Sequence, residues 1–280
     1  MSEQIERAEP SAPVPPNGDQ MTAATALVAE QEARFEAAFE HGSRNLVTSQ
    51  DPLVRYLTRW RMETAWKHLV ELAPDLGGEP SVLILCAGDA GEATVLADLG
   101  VRDITISDLS QAGVNAALAA DPRLKGVVAN ALDTGIATDS YDVVVVQDGL
   151  HHLPEPVKGF TEQLRIARRA AFFLEGANSL AGRRFGLEWE VEGDFVNHVF
   201  RWDRRMVDQV AKSYLGPNSF TNASFSFWHH NLKLAALGAR LGGGDRAVTT
   251  IARLKRVADR MLPEGGNQFC GMVVKPEVRA

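Results

Sequence analysis

Cysteine is scarce in this sequence: Cys86 and Cys270 are the two present in 280 residues, each inside an apolar, strand-like run. Two such thiols exclude a disulfide-built framework and suit a reducing compartment, so a cytoplasmic location is expected. Long apolar runs are missing as well. None reaches the roughly 20 residues that span a membrane, and the acidic N-terminus has no signal-peptide apolar segment, so no membrane partner is expected. Positive charge is short: the net charge is −7 and the pI about 5.5. A nucleic-acid partner normally requires a basic footprint, and the nearest candidates, Arg204-Arg205 and the Arg253–Arg260 segment, read as solvated helix faces. The pairs His151-His152 and His229-His230 lack any His-x-x-x-His, Cys-x-x-Cys or Glu-x-x-His spacing to support them, so no metal is expected. No internal repeat is visible.

What is present is an ordinary globular composition, 45% apolar and 23% charged, sufficient for one sizeable core with an added lid. Residues 1–20 hold four prolines and no periodicity and read as a disordered tail. Residues 21–79 read as N-terminal helices forming a lid or cap. The first is expected over Thr22–His41, where Leu27, Val28, Phe35, Ala38 and Phe39 share a face. The second is expected over 52–73, with Asp51 as N-cap and Pro52 at the first position.

Gly77-Gly78-Glu79-Pro80 breaks the chain before an alternating segment at 80–178. Strands are expected at 81–86, 103–107, 126–129, 141–147 and 170–175, with helices near 90–99, 111–119 and 156–168. Continuous runs such as Val143-Val144-Val145-Val146 suit strands covered on both faces, hence a parallel sheet wrapped by helices. Beyond Gly176 the pattern weakens. Residues 179–265 read as a lid region, with a helix over 204–214 capped by Asp203, a strand within Phe220–Trp228 and a helix over Ala247–Met261. Residues 266–280 supply a terminal strand, Gln268–Val274. The expected architecture is α/β: a Rossmann-like, doubly wound, mostly parallel seven-stranded sheet with helical N-terminal and late lid insertions and an antiparallel last strand.

Val82-Leu83-Ile84-Leu85 runs straight into Cys86-Ala87-Gly88-Asp89-Ala90-Gly91, and a second apolar run, Ile104 to Ser107, closes on Asp108. A strand, a small-residue turn, a helix and a strand ending in a carboxylate describe a nucleotide-cofactor site. Small residues let backbone N–H groups approach a ligand, and a carboxylate can accept both hydroxyls of a ribose. The six-residue glycine fingerprint of a nicotinamide dehydrogenase is absent.

On these residues the chain resembles the class I S-adenosylmethionine-dependent methyltransferases, over about 80–178 and the terminal strand. The family's acid and three alternate glycines fall on Ile84, Cys86, Gly88 and Ala90, so the middle glycine alone is kept. Its ribose acid falls on Asp108, and its adenine-side acid on Asn130, whose carbonyl can accept from an amine. Ser140-Tyr141-Asp142-Val143-Val144 running to Leu150-His151-His152-Leu153 is similar to the fourth-strand signature of small-molecule members, with Asp142 in a structural place.

The resemblance implies S-adenosylmethionine as cofactor, held by Cys86, Ala87, Gly88, Asp89, Ala90, Asp108, Leu109, Asn130, Ala131, Gln147, Asp148 and Gly149. It puts His151 and His152 beside the acceptor, where a near-neutral pKa lets either act as base; adjacent residues diverge, so one at most is expected to face the acceptor. Arg61 is a candidate for the cofactor carboxylate. Glu188, Glu190, Glu192 and Asp194 read as a solvated loop, and Trp60, Trp66, Phe185, Trp189 and Trp228 as core residues. Asp148 and Asn178 fall near where metal-dependent relatives place ligands, too few to claim a site. No Asp/Asn-Pro-Pro-aromatic run follows the fourth strand and neither cysteine follows a proline, so nucleic-acid methylation is not implied. The implied partner is a small-molecule acceptor, methylated on oxygen or nitrogen, as in secondary metabolism. The alternatives are non-methylating chemistry on the same fold, as in a cyclase or eliminase, or a silent cofactor-binding subunit. The oligomeric state is left open.

Overall fold

A computed structural model describes residues 28–34, 36–37, 46–192, 195–229, 231–262 and 264–276. The tail expected at 1–20 lies outside these, as do parts of the helix expected over 22–41; residues 28–34 and 36–37 are helical. The sheet has strands β1 (Ser81–Leu85), β2 (Asp103–Asp108), β3 (Lys125–Val128), β4 (Tyr141–Gln147) and β5 (Ala167–Gly176). A hairpin of β6 (Trp189–Glu192) and β7 (Phe195–His198) stands apart. Then come β8 (Thr221–Asn222), β9 (Phe225–Phe227) and β10 (Gln268–Val274). The spatial order is β3-β2-β1-β4-β5-β10-β8, with β9 also on β10. β1 to β5 pair in parallel, and β10 runs antiparallel to β5, β8 and β9.

Period-2 alternation sorts the apolar strand residues onto two faces. Val82, Ile84, Val143, Val145, Phe172 and Met272 join one core cluster, which includes Met62, Trp66 and Leu69 of helix Pro52–Leu72. Leu83, Leu85, Val144, Val146, Phe173 and Val273 join another, with Phe160 and Leu164 of helix Pro156–Ile166 and Val207 of helix Arg204–Leu215. All four valines of β4 are buried, as required of a sheet covered on both sides. Asp51 Oδ1 accepts from Leu53 N at 2.8 Å and Val54 N at 3.3 Å, capping helix Pro52–Leu72. Asp142 is structural: its Oδ2 takes the Ser81 N–H at 2.9 Å, its Oδ1 meets Arg168, and so β1, β4 and β5 are tied together.

Several expectations are corrected. The helix expected over 156–168 ends at Ile166, because Ala167 already pairs with Tyr141, three residues before the strand expected from 170. The strand expected within 220–228 is split. Asn222 Oδ1 accepts from Ser224 N at 3.1 Å, turning the chain, and Ser224 Oγ takes the Met272 N–H at 3.0 Å where the ladder lapses. β8 and β9 thus share one sheet position, and the seven-position sheet has eight strands. The sequence reading has no element for helix Asn231–Arg240 or for Leu180–Phe185. Phe185 and Trp189, expected in the core, are exposed. Among the described residues no helix is long and apolar enough to cross a membrane.

The Arg253–Arg260 segment is not wholly a solvated face. Lys255 is buried, with Nζ 3.5 Å from the Trp60 ring centroid and 3.1 Å from His229 Nδ1, and it donates to the Trp228 carbonyl. His229 stacks on Trp60 with ring planes 4° apart; His230 lies outside the described residues. Burial pushes the Lys255 ammonium down to about 7, against the pull of Asp259. An unfolded lysine titrates near 10.4, so between these values the unfolded chain holds the extra proton and stability rises with pH. The cost of the buried charge is full below about pH 7. Lys255→Met is therefore expected to stabilise the fold by about 1–3 kcal/mol at pH 6 and by less at pH 9, as read from urea midpoints. Equal gains at both pH values would contradict the assignment.

Candidate cofactor cleft and histidine pair

A cleft of about 240 Å³ opens beyond the carboxyl ends of β1, β2 and β4, where ligands of open parallel sheets sit. Every residue of the expected cofactor set lines it except Ala90, which lies 1% exposed in the core beneath the turn. Cys86, Gly88 and Ala90 have φ of 53°, 50° and 55°. The backbone therefore takes the left-handed form at all three alternate positions although one alone is glycine. Each non-glycine residue held there costs roughly 1–2 kcal/mol. Cys86 is accommodated by the absence of a side chain at Gly149, where an added Cβ would lie 2.5 Å from Cys86 Cβ. Burial pushes the Cys86 thiol well up, which removes nucleophilic character.

Asp108 bridges the turn and the next helix: its Oδ2 accepts from Gly88 N at 2.9 Å and its Oδ1 from Ser110 N at 3.0 Å. Burial raises its pKa while those N–H groups oppose the rise. Asn130 Oδ1 takes the Leu132 N–H at 2.9 Å, so the carbonyl expected to meet an amine is partly engaged in its own loop. Arg61 is engaged by side chains of the protein through its Nη atoms, while its Nε is buried without a hydrogen bond among the described residues. Its guanidinium grips Asp148 through both Nη atoms, one at 2.9 Å, and reaches Gln268 Oε1 at 3.2 Å. Asn178 turns away to Asp203 at 2.9 Å.

Cleft walls outside the expected cofactor set include Val28, Gln31 and Glu92. The first two come from the N-terminal helical segment, where Gln31 Nε2 donates to the His152 carbonyl. Glu36 of the same segment accepts from Ser110 Oγ at 2.7 Å and Ala112 N at 3.1 Å, holding it to the start of helix Gln111–Ala120. Glu92 Oε1 accepts from Gln147 Nε2 at 2.5 Å. Burial raises Glu92 to about 7, with Asp89 and Asp148 adding to the rise. Gln147 Oε1 is buried without a hydrogen bond among the described residues.

The histidines depart from expectation in two ways. They sit on a short 3-10 turn, Leu150–His152, so the rings do not diverge but lie 4.2 Å apart. Neither titrates near neutrality. Burial disfavours the charged form of His151, yet Glu175, 2.6 Å from Nδ1, overrides it with help from Glu190 and Asp148 and holds the ring at about 10. Burial and the adjacent His151 charge push His152 down to about 4. His152 lines the cleft as a neutral ring, whereas His151 stands behind it. Glu190, read as part of a solvated loop, instead points at both rings from β6; Asp194 lies outside the described residues.

Residues 83–174 match the family described as "Methyltransferase domain". Over 112 residues the chain is 32% identical to a demethylmenaquinone methyltransferase of Clavibacter sepedonicus, covering 39% of this chain and 43% of that protein. The fold is similar to magnesium protoporphyrin IX methyltransferase of Synechocystis PCC 6803, solved with bound SAH. That likeness has a TM-score of 0.52 at 14% identity, over 89% of this chain and 99% of the other. It is also similar to the [4+2]-cyclase SpnF, with a TM-score of 0.52 at 16% identity, over 78% and 81% of the two chains.

Proposed function

We propose that this chain, whose residues 83–174 match the methyltransferase-domain family, transfers a methyl group from S-adenosylmethionine to an oxygen or nitrogen of a small molecule. The observation that carries the reading is the geometry around Asp108. Its buried carboxylate is fixed by two backbone N–H groups at the mouth of a turn that keeps three left-handed residues. The two oxygens can still accept from the vicinal hydroxyls of a ribose.

The other walls fit the remaining parts of the cofactor. Residues 129–132 would border the base. The unpartnered Gln147 Oε1 and the Glu92 carboxyl, poised near neutrality, would receive the ammonium of the amino-acid end, since an adjacent cation restores the ionised form of a buried acid. Bound there, S-adenosylmethionine supplies a methyl group already activated as a sulfonium. The protein's own work is then to orient the acceptor, exclude water and receive any proton released. His152, neutral and on the cleft wall, is the histidine placed to meet the acceptor, and His151 with Glu175 fixes its position from behind. The N-terminal helical segment, through Gln31 and Val28, closes the cleft against solvent.

Calorimetric titration with S-adenosylmethionine, S-adenosylhomocysteine and NAD tests the reading. Asp108→Ala removes two charge-assisted contacts of roughly 1.5 kcal/mol each, so S-adenosylhomocysteine should bind on the order of 100-fold more weakly. Affinity for NAD without affinity for the first two compounds would reject the proposal, as would an unchanged dissociation constant in Asp108→Ala.

A further inference from the structure

The histidine pair and Glu190 form a second constellation with a chemistry of its own. Glu190 Oε2 lies 3.5 Å from His151 Nε2 and 3.7 Å from His152 Nδ1, and one ligand atom from each of the three residues falls within 4.8 Å of the others. An ion bound tetrahedrally at about 2.0–2.1 Å from nitrogen and oxygen ligands separates those ligands by roughly 3.3 Å. The three atoms therefore stand within a few tenths of an ångström of the spacing such an ion imposes on the two measured edges.

Two further observations point to an occupant. Glu190 Oε2 is shut off from solvent and faces the two imidazole nitrogens at 3.5 and 3.7 Å, beyond the length of a normal hydrogen bond. His151 Nδ1 lies 2.6 Å from Glu175 Oε2. That is the carboxylate–histidine arrangement which fixes a ligating imidazole and aims its other nitrogen at a metal. The charge also balances, because two carboxylates, Glu175 and Glu190, face the rings, whereas nearby Asp148 is already paired with Arg61. Arg34 adds positive charge near Glu190 and His152 from the N-terminal helical segment.

We propose that His151 Nε2, His152 Nδ1 and Glu190 Oε2 bind a divalent transition-metal ion, with Glu175 as the positioning residue behind His151. Two imidazoles and one carboxylate suit zinc or ferrous iron and not magnesium, which prefers all-oxygen surroundings. Three protein ligands leave at least one coordination position for another molecule. Since His152 is also a wall of the cleft, the ion would stand at the cleft's edge. Sequence spacing cannot reveal this set, because Glu190 arrives on a hairpin 38 residues after His152. The inference does not rest on methyl transfer and is measured on the protein without cofactor.

The test is titration of chelator-dialysed full-length protein with Co2+, followed by its visible absorption, and with Zn2+, followed by calorimetry. One ion per chain is expected, with cobalt bands shifted from those of the aqueous ion and no competition from Mg2+. His152→Ala and Glu190→Ala should each weaken binding at least about 100-fold, and Glu175→Gln about 10–100-fold. The His152 and Glu190 side chains are 22% and 38% exposed, so their truncation opens no core cavity, and far-UV circular dichroism confirms the fold. Failure of wild-type protein to bind either ion at submillimolar concentration overturns the proposal. So does binding that survives in both variants, which would place the ion elsewhere. Loss of metal binding with intact S-adenosylhomocysteine binding in Glu190→Ala, a residue outside the cleft lining, would keep this site separate from the Asp108 result.

Discussion

Glu175→Ala is expected to destabilise the protein by about 3–5 kcal/mol, the cost of removing one partner from a buried charged pair. Glu175 is wholly buried and serves two groups at once. Its Oε1 takes the Leu150 N–H at 2.7 Å and its Oε2 faces His151 Nδ1 at 2.6 Å. Alanine leaves both buried donors without an acceptor and frees the 3-10 turn that presents the histidines. Glu175→Gln keeps a carbonyl oxygen for Leu150 and should cost roughly 1–2 kcal/mol, near the worth of one hydrogen bond. Urea denaturation of the three proteins orders them. A loss below about 1 kcal/mol in the alanine variant would mean that Glu175 does not anchor this corner of the site.

Gly149→Ala should damage the turn through space and not through backbone strain. Gly149 has φ of −119°, which any residue adopts, but an added Cβ meets Cys86 Cβ at 2.5 Å and Val146 Cγ1 at 2.9 Å. Val146 is fixed in β4, so Cys86 must yield. The expected loss is about 1–3 kcal/mol of stability from overpacking. Displacement of the turn is expected to weaken cofactor binding, read as a higher dissociation constant for S-adenosylhomocysteine by calorimetry. Cys86→Gly alone should add about 1 kcal/mol by relieving the left-handed cysteine. Combined with Gly149→Ala it should recover about 1–2 kcal/mol of coupling. Additive behaviour in that double-mutant cycle would show that the two positions do not share space.

The residues that the sequence made legible are those whose role is local. Ile84, Asp108 and the four valines of β4 announce themselves through alternation, strand endings and burial on both faces, and the cleft follows from where those strands stop. Ala90 was placed at the cleft by its position in the motif, but its side chain turns down into the core. Arg61 shows the limit of reading a charge alone, because the carboxylate that neutralises it lies 87 residues away. Glu175 looked like one more strand residue, and Glu190 like one of several surface acids. Their roles depend on a 3-10 turn and a hairpin meeting in space, for which adjacent sequence carries no periodic signal. Gln31 and Glu36 were hidden for the same reason.

The position of β10 has a consequence for how the molecule is assembled. Residues 268–274 lie between β5 on one side and β8 and β9 on the other, hydrogen-bonded to both. Until they are synthesised, the two short strands have no sheet to join, and β5 is an uncovered edge bearing Ala170 to Leu174. Such an edge invites pairing with other chains. On a ribosome the earlier strands emerge first, so the chain carries this exposed edge from the emergence of β5 until β10 follows it. Cooperative unfolding should accordingly begin with withdrawal of β10, which uncovers both neighbours in a single event.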